Sequence, residues 1–215
     1  MSEKQIKAII FDLDGVICHT DHYHFQAWNE IAKELHIQFN EEINHRLRGV
    51  SRKESFEIIL EKYNGTMSED EKEKYLTKKN EIYKQLLKNM SEKDVSDEVK
   101  ETLDYLKKKG ILLGIGSSSK NAMFILKQIG LVDMFDAICD GTMIEKSKPD
   151  PEVFLKAASM LGVLPEESAI VEDAEAGIIA GKQGGFYCIA ISEATKCGLS
   201  HKNIQSFEEI KESIL

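Results

Sequence analysis

Proline is scarce in this chain, 3 residues in 215, and the 14 glycines carry no repeat, which argues against a fibrous or disordered polymer. Cysteine is sparse as well. Cys18, Cys139, Cys188 and Cys197 are scattered and form no CxxC pair, so neither a zinc ribbon nor a disulfide framework is suggested, and a reducing compartment is expected. Positive charge is in deficit: 28 Lys and Arg face 37 Asp and Glu, a net charge of −9. That removes the electrostatic attraction behind most non-specific binding to nucleic acids and anionic membranes. Long apolar runs are missing too, because Asp12 and Asp14 end the stretch Ala8 to Phe11 well before a signal-peptide core or membrane span could form. The expectation is a cytoplasmic protein with neither nucleic acid nor membrane as partner. What the chain does contain, 42% hydrophobic and 30% charged residues, suffices for a sizeable core without covalent staples.

The segment Cys18-His19-Thr20-Asp21-His22-Tyr23-His24 crowds soft and borderline ligands. A helix beginning at Asp21, however, places His22 and His24 about 200° apart, which disfavours zinc. Helical periodicity from Asp21 is clear: Phe25, Trp28, Ile31, Ala32 and Leu35 mark one face, and a shorter amphipathic piece runs from Asn40 to Leu47. Ser51-x-x-Glu54 and Ser68-x-x-Glu71 are capping boxes that open two further helices. The region from Thr20 to about Met90 therefore reads as all helix.

On either side the pattern is different. Ile6 to Phe11 reads as a buried strand, and from Ser96 onward helix and strand alternate, with strands at Ile111 to Ile115, Ala137 to Cys139, Ala169 to Val171 and Tyr187 to Ile191. A last helix starts at Ser206. Short connections between alternating elements imply parallel strands and right-handed crossovers. The expected fold is an α/β doubly wound parallel sheet, residues 1–18 and 92–215, with an inserted all-helical cap, residues 19–91.

Ligands of such sheets bind beyond the carboxyl ends of the strands. Those ends carry Asp12 and Asp14 with Gly15, then Ser117-Ser118-Ser119-Lys120-Asn121, then Lys148 before Pro149, and finally Glu172 and Asp173. Four carboxylates at two strand ends are costly without a cation, and an all-oxygen set suits Mg²⁺. The Ser117 loop before a helix can cradle an anion. Each residue alone has a plainer use as a helix cap or a solvated charge.

In this order the residues resemble the haloacid dehalogenase superfamily, over essentially the whole chain. The resemblance implies a Rossmann-like core, Asp12 as nucleophile and Asp14 as general acid/base. It also implies Ser117 and Lys148 as phosphate holders, and Asp12, Asp14 through its carbonyl, Glu172 and Asp173 at the metal. Phe11-Asp12-Leu13-Asp14-Gly15-Val16, Tyr23-His24-Phe25-Gln26-Ala27-Trp28, Arg48-Gly49-Val50-Ser51-Arg52 and Ser119-Lys120-Asn121 are similar to the β-phosphoglucomutase branch. Two departures stand out: Ile17-Cys18-His19 stands before Thr20 where small or acidic residues are expected, and Arg48 stands where lysine is common, which changes donor geometry while keeping the charge.

That branch implies an isomerase of sugar phosphates, a phosphoprotein passing through an aspartyl phosphate at Asp12. It would be Mg²⁺-dependent and monomeric, and would interconvert β-D-glucose 1-phosphate and glucose 6-phosphate through β-glucose 1,6-bisphosphate. A sugar-phosphate phosphatase on the same core is the alternative. Thr20, Trp28, Arg48, Gly49, Val50, Ser51, Ser118, Lys79 and Asn80 join the candidate substrate contacts, although Trp28 also reads as lid core. His24 would connect lid closure to Asp14. Arg52, Ser119, Lys120 and Asn121 are the donors available to a distal phosphate.

Overall fold

The computed structural model describes residues 6–47 and 50–213. Strand β1, Ala8–Phe11, is wholly buried and lies inside the sheet, which explains its uninterrupted apolar run. Four helices come next, all within the region expected to be the insertion: α1 (Asp21–Glu34), α2 (Glu41–His45), α3 (Arg52–Leu60) and α4 (Glu69–Leu87). Both predicted capping boxes form. Ser51 Oγ accepts from Glu54 N at 3.2 Å and Ser68 Oγ from Glu71 N at 3.3 Å, and each glutamate reaches back to its serine N–H at 2.8 Å.

Alternation then resumes with α5 (Asp97–Lys108), β2 (Leu112–Gly116), α6 (Ala122–Gln128), β3 (Ala137–Cys139), α7 (Glu152–Leu161), β4 (Ser168–Glu172), α8 (Glu175–Gly184) and β5 (Tyr187–Ala190). The strand order is β3-β2-β1-β4-β5-β6, with every pairing parallel. Strand β6, Lys202–Asn203, is an addition to the expected elements. It holds two exposed residues against Ile189 and Ala190, too few to leave a pattern in the sequence. The expected last helix is a short 3₁₀ turn, Phe207–Glu209, followed by α9 (Ile210–Ser213).

Alternate residues of the strands feed two cores. Ile9, Phe11, Leu113, Ile115, Val171 and Ile189 face α5 and α6, while Ile10, Ile170, Cys188 and Ala190 face α7 and α8. The inserted helices have a third core around Trp28, Ile31, Phe56, Ile59 and Leu76. Their base, at Tyr23, Ala27, Tyr83 and Leu87, packs into the first of the sheet cores. The chain winds one way from β1 to β3 and the other way from β4 to β6, so the switch point lies between β1 and β4.

Helix α7 sits very close to β2, where a Cβ on Gly116 would meet Phe154 Cδ1 at 2.7 Å. Phe154 is fully buried against Phe186 and lies under Lys148, whose Nζ is 4.6 Å from its ring. Phe154→Ala is expected to lower stability by about 3–5 kcal/mol in urea unfolding, the usual cost of a cavity of that size. A loss below about 1 kcal/mol would show that α7 can collapse onto the sheet.

Candidate active site

Asp12 continues the β1 ladder, its N–H donating to Val171 O at 3.0 Å, and presents a nearly buried carboxylate at the carboxyl edge. Lys148, from the loop after β3, donates from one Nζ to Asp12 Oδ1 and to Glu172 Oε1, each at 2.5 Å. Ala174 N donates to Glu172 Oε2 at 2.9 Å and fixes the glutamate from the far side. Burial pushes Asp12 up to about 7, with Glu172 and Asp14 adding to the rise and Lys148 opposing it. Burial also opposes the charge on Lys148, but Asp12 and Glu172 overcome it and hold the ammonium above the ordinary lysine range.

Asp14 stands where the strand breaks. Gly15 adopts φ +94 and returns its N–H to Cys18 O at 2.7 Å, a turn that side chains rarely tolerate. The Thr20 hydroxyl donates to Asp14 Oδ1. Burial raises Asp14 to about 6, with the Thr20 hydrogen bond pulling the other way and Asp21 pushing further up. A carboxyl that titrates near neutrality can both take and give a proton.

The second acidic pair is packed onto glycines. A Cβ on Gly15 would lie 2.1 Å from Asp173 Oδ2, and one on Gly177 would lie 1.9 Å from Glu172 Oε1, so bare backbone is what lets these carboxylates close on the β1 edge. Burial, then Glu172 and Asp12, raise Asp173 to about 9. Negative charge thus exceeds what Lys148 alone balances. Asp12, Asp173, Glu172 and the Asp14 carbonyl offer oxygen donors of the kind a hard divalent cation takes. Among the described residues no three His, Cys, Asp or Glu groups form a ready-made ligand cluster, so the fit lies in donor chemistry and surplus charge.

Beyond β2, Ser117 Oγ accepts from Ser119 N at 3.1 Å and Ser119 Oγ from Asn121 N at 3.2 Å, which folds the loop and leaves the hydroxyl protons to donate outward. Ser118 Oγ is buried and has no hydrogen-bond partner among the described residues. Asn121 Nδ2 donates across to Asn80 Oδ1 on α4 at 3.0 Å.

A cleft of about 1070 Å³ separates the strand ends from the inserted helices. It is lined by Asp12, Asp14, Ser117, Ser118, Ser119, Lys120, Asn121, Lys148, Glu172 and Asp173 on the sheet side. His24, Trp28, Val50, Ser51, Arg52 and Lys79 line it on the helical side. Thr20 and Asn80 stand one layer behind, touching Asp14 and Asn121 respectively. Arg48 and Gly49 lie outside the described residues.

Trp28 is buried and stacked on Phe56 at 5.7 Å between ring centroids, a wall of the cleft and part of the lid core together. The Cys18 to His24 segment splits as its helical spacing requires. Burial holds the Cys18 thiol well above its usual range, His22 packs on Tyr23, and His24 turns inward to Lys79.

Sequence reasoning left out Tyr83 and Asp21, which also line the cleft. Tyr83 stacks on His24 at 4.0 Å between centroids and lies under the Lys79 amine. Its signal was available, since it follows Lys79 by four residues on one helix and so shares its face. Asp21 opens α1 and acts on Asp14 through its charge.

Residues 9–191 match the model of the haloacid dehalogenase-like hydrolase family. The β-phosphoglucomutase of Bacillus subtilis is 42% identical over 194 residues, covering 87% of this chain and 84% of that protein. A phosphorylated carbohydrates phosphatase of Thermotoga maritima is 30% identical over 184 residues, covering 84% of this chain and 82% of the other. Among solved structures, a β-phosphoglucomutase from Clostridium difficile superposes with a TM-score of 0.91 at 33% identity, covering 98% of this chain and 97% of that one.

The raised carboxyls make a linked prediction. An acid with a raised folded pKa contributes stability that is complete below its unfolded value near 3.8 and is lost as pH rises, here through about 7 for Asp12 and about 9 for Asp173. A divalent cation reverses that loss only where these groups shed their protons. Its effect on Tm, measured against EDTA, should therefore be small at about pH 5 and larger at about pH 8. Equal shifts at the two pH values would place cation binding elsewhere.

Proposed function

Because the chain belongs to the haloacid dehalogenase-like hydrolase family, we propose that its cleft carries out the phosphomutase chemistry of its β-phosphoglucomutase relatives. The reaction would interconvert β-D-glucose 1-phosphate and D-glucose 6-phosphate through β-glucose 1,6-bisphosphate. One observation carries the reading: a single cleft holds anion donors at both walls, Ser117 and Lys148 beside Asp12, and Arg52 across from it on the helical side. A bisphosphate needs two such places.

In this reading Asp12 receives the phosphoryl group on a carboxylate oxygen and passes it to the free hydroxyl of the sugar, whose proton Asp14 takes. Asp14 near 6 suits both directions of that transfer. Lys148 keeps Asp12 aimed and shares the phosphoryl charge with the Ser117 hydroxyl. Mg²⁺, held by Asp12, the Asp14 carbonyl and Asp173 with Glu172 beside them, would spread the remaining negative charge. The bisphosphate then turns end for end, and Arg52, Ser119, Lys120 and Asn121 hold the phosphate that is not reacting.

The division into a core, 1–18 and 92–215, and a lid, 19–91, belongs to the same proposal. A lid closing over a sugar phosphate keeps water from phospho-Asp12. The protein would act as a cytoplasmic monomer.

A second reading, hydrolysis of sugar phosphates, is favoured by the likeness to the Thermotoga maritima phosphatase. Phosphorus NMR with β-glucose 1-phosphate, Mg²⁺ and a trace of bisphosphate separates the two: glucose 6-phosphate supports the mutase, and inorganic phosphate alone the phosphatase. Asp12→Asn should abolish both products while the protein stays folded, since the amide cannot form the acyl phosphate. Arg52→Ala should leave phospho-Asp12 formation intact and move the product ratio from glucose 6-phosphate towards free phosphate. The same ratio as wild type would make Arg52 an ordinary lid arginine.

A further inference from the structure

The roof of the cleft contains a buried amine whose surroundings differ from those of the lysines that pair with carboxylates, and from Lys182, which meets the His201 imidazole at 3.3 Å at the surface. Lys148 bridges two carboxylates, and Lys7, Lys33, Lys72, Lys78, Lys156 and Lys196 pair with acids at the surface. Lys79 is 2% exposed, yet it lines the cleft. Its Nζ is held at 2.8 Å by an imidazole nitrogen, His24 Nδ1, with the Trp28 and Tyr83 ring centroids at 4.9 and 4.5 Å. A hydrogen bond between two basic nitrogens needs one of them to supply a lone pair.

We propose that Lys79 is a nucleophilic amine, and that it condenses with aldehyde-bearing phosphates that enter the cleft. The charged and titratable groups around it are Arg52 from α3, His24 from α1, Tyr83 on its own helix and Asp14 below. Burial first, then the Arg52 charge, drive the amine well below the ordinary lysine range, with Asp14 pulling the other way. Burial first, then the neighbouring basic groups Lys79 and Arg52, move the His24 imidazole well below its ordinary range. The aromatic faces favour an ammonium without supplying a counter-charge. Arg52, on the same wall of the cleft, is the group that would hold the phosphate of such a ligand.

The step balances with amine and aldehyde alone. The nitrogen lone pair forms a bond to the carbonyl carbon as the C=O π pair moves to oxygen. The proton lost from nitrogen passes to that oxygen, with His24 Nδ1 placed to relay it. The nitrogen lone pair then forms the second C–N bond as the C–O bond breaks, and the second proton from nitrogen passes to the departing hydroxyl, so that water leaves and a C=N bond remains. Open-chain aldose phosphates are the ligand class, and the inference does not depend on the direction in which Asp12 transfers phosphate.

D-Erythrose 4-phosphate is the probe, because its phosphorylated O4 cannot close a furanose ring and the aldehyde stays available. The intact wild-type protein is incubated with it at neutral pH and cyanoborohydride, then digested and mapped by mass spectrometry. Lys79 should carry the reduced adduct at an occupancy about tenfold or more above surface lysines such as Lys146 and Lys196. Excess inorganic phosphate should slow its labelling, and Lys79→Arg should lose that adduct alone. Adducts spread over the surface lysines with Lys79 unmodified would overturn the proposal. So would propionaldehyde labelling Lys79 as fast as the phosphate probe, since the phosphate would then contribute nothing. The readout is a mass on a peptide, so it is independent of the product ratio that tests the mutase reading.

Discussion

One ammonium group, Lys148 Nζ, sits 2.5 Å from an oxygen of Asp12 and 2.5 Å from an oxygen of Glu172, and the acidic floor of the cleft is organised around it. Removing a buried cation from two carboxylates leaves charge without a partner, a loss of the order of 3–5 kcal/mol for a pair. The contact joins the ends of β1 and β4 to the loop after β3, three segments that the sequence keeps far apart. It also stays one positive charge short of neutrality. Burial first, then the charges of Glu172 and Asp12, raise Asp173 to about 9 beside it. The floor is acidic, with more carboxylates than Lys148 alone can balance.

The helical roof has the complementary character. Arg52, Lys79 and His24 face Asp14 across the cleft, and burial weakens the charge of each of them. A roof that carries Arg52 over a floor of carboxylates is complementary to it in sign across the cleft. The cores follow this division: the aromatic core of the inserted helices around Trp28 and Phe56 is separate from the two sheet cores, while Tyr83 and Leu87 pack with the sheet at the base. The site therefore spans two packed bodies joined at a base that includes Thr20, which grips Asp14.

Much of the architecture was legible because local chemistry agreed with the global fold. Capping boxes at Ser51 and Ser68, the period-3.6 pattern from Asp21 onward and the buried run Ala8–Phe11 all report structure made by neighbouring residues. Strand β6 escaped because two exposed residues have no periodicity to read. Tyr83 escaped for a different reason. An aromatic on an amphipathic face normally means core, and only its stacking on His24 marks it as part of the cleft.

The sequence by itself determined the α/β class, the inserted helices and the identity of the acids, hydroxyls and cations at the strand ends. Those follow from propensity, spacing and the rule that parallel strands present their carboxyl ends to ligands. Only the tertiary structure decided which charges meet. That Lys148 joins Asp12 to Glu172, that Gly15 and Gly177 admit the carboxylates of Asp173 and Glu172, and that Lys79 ends on an imidazole are results of packing between distant segments. Burial and partner choice set whether a group is charged, and neither is a property of the residue alone.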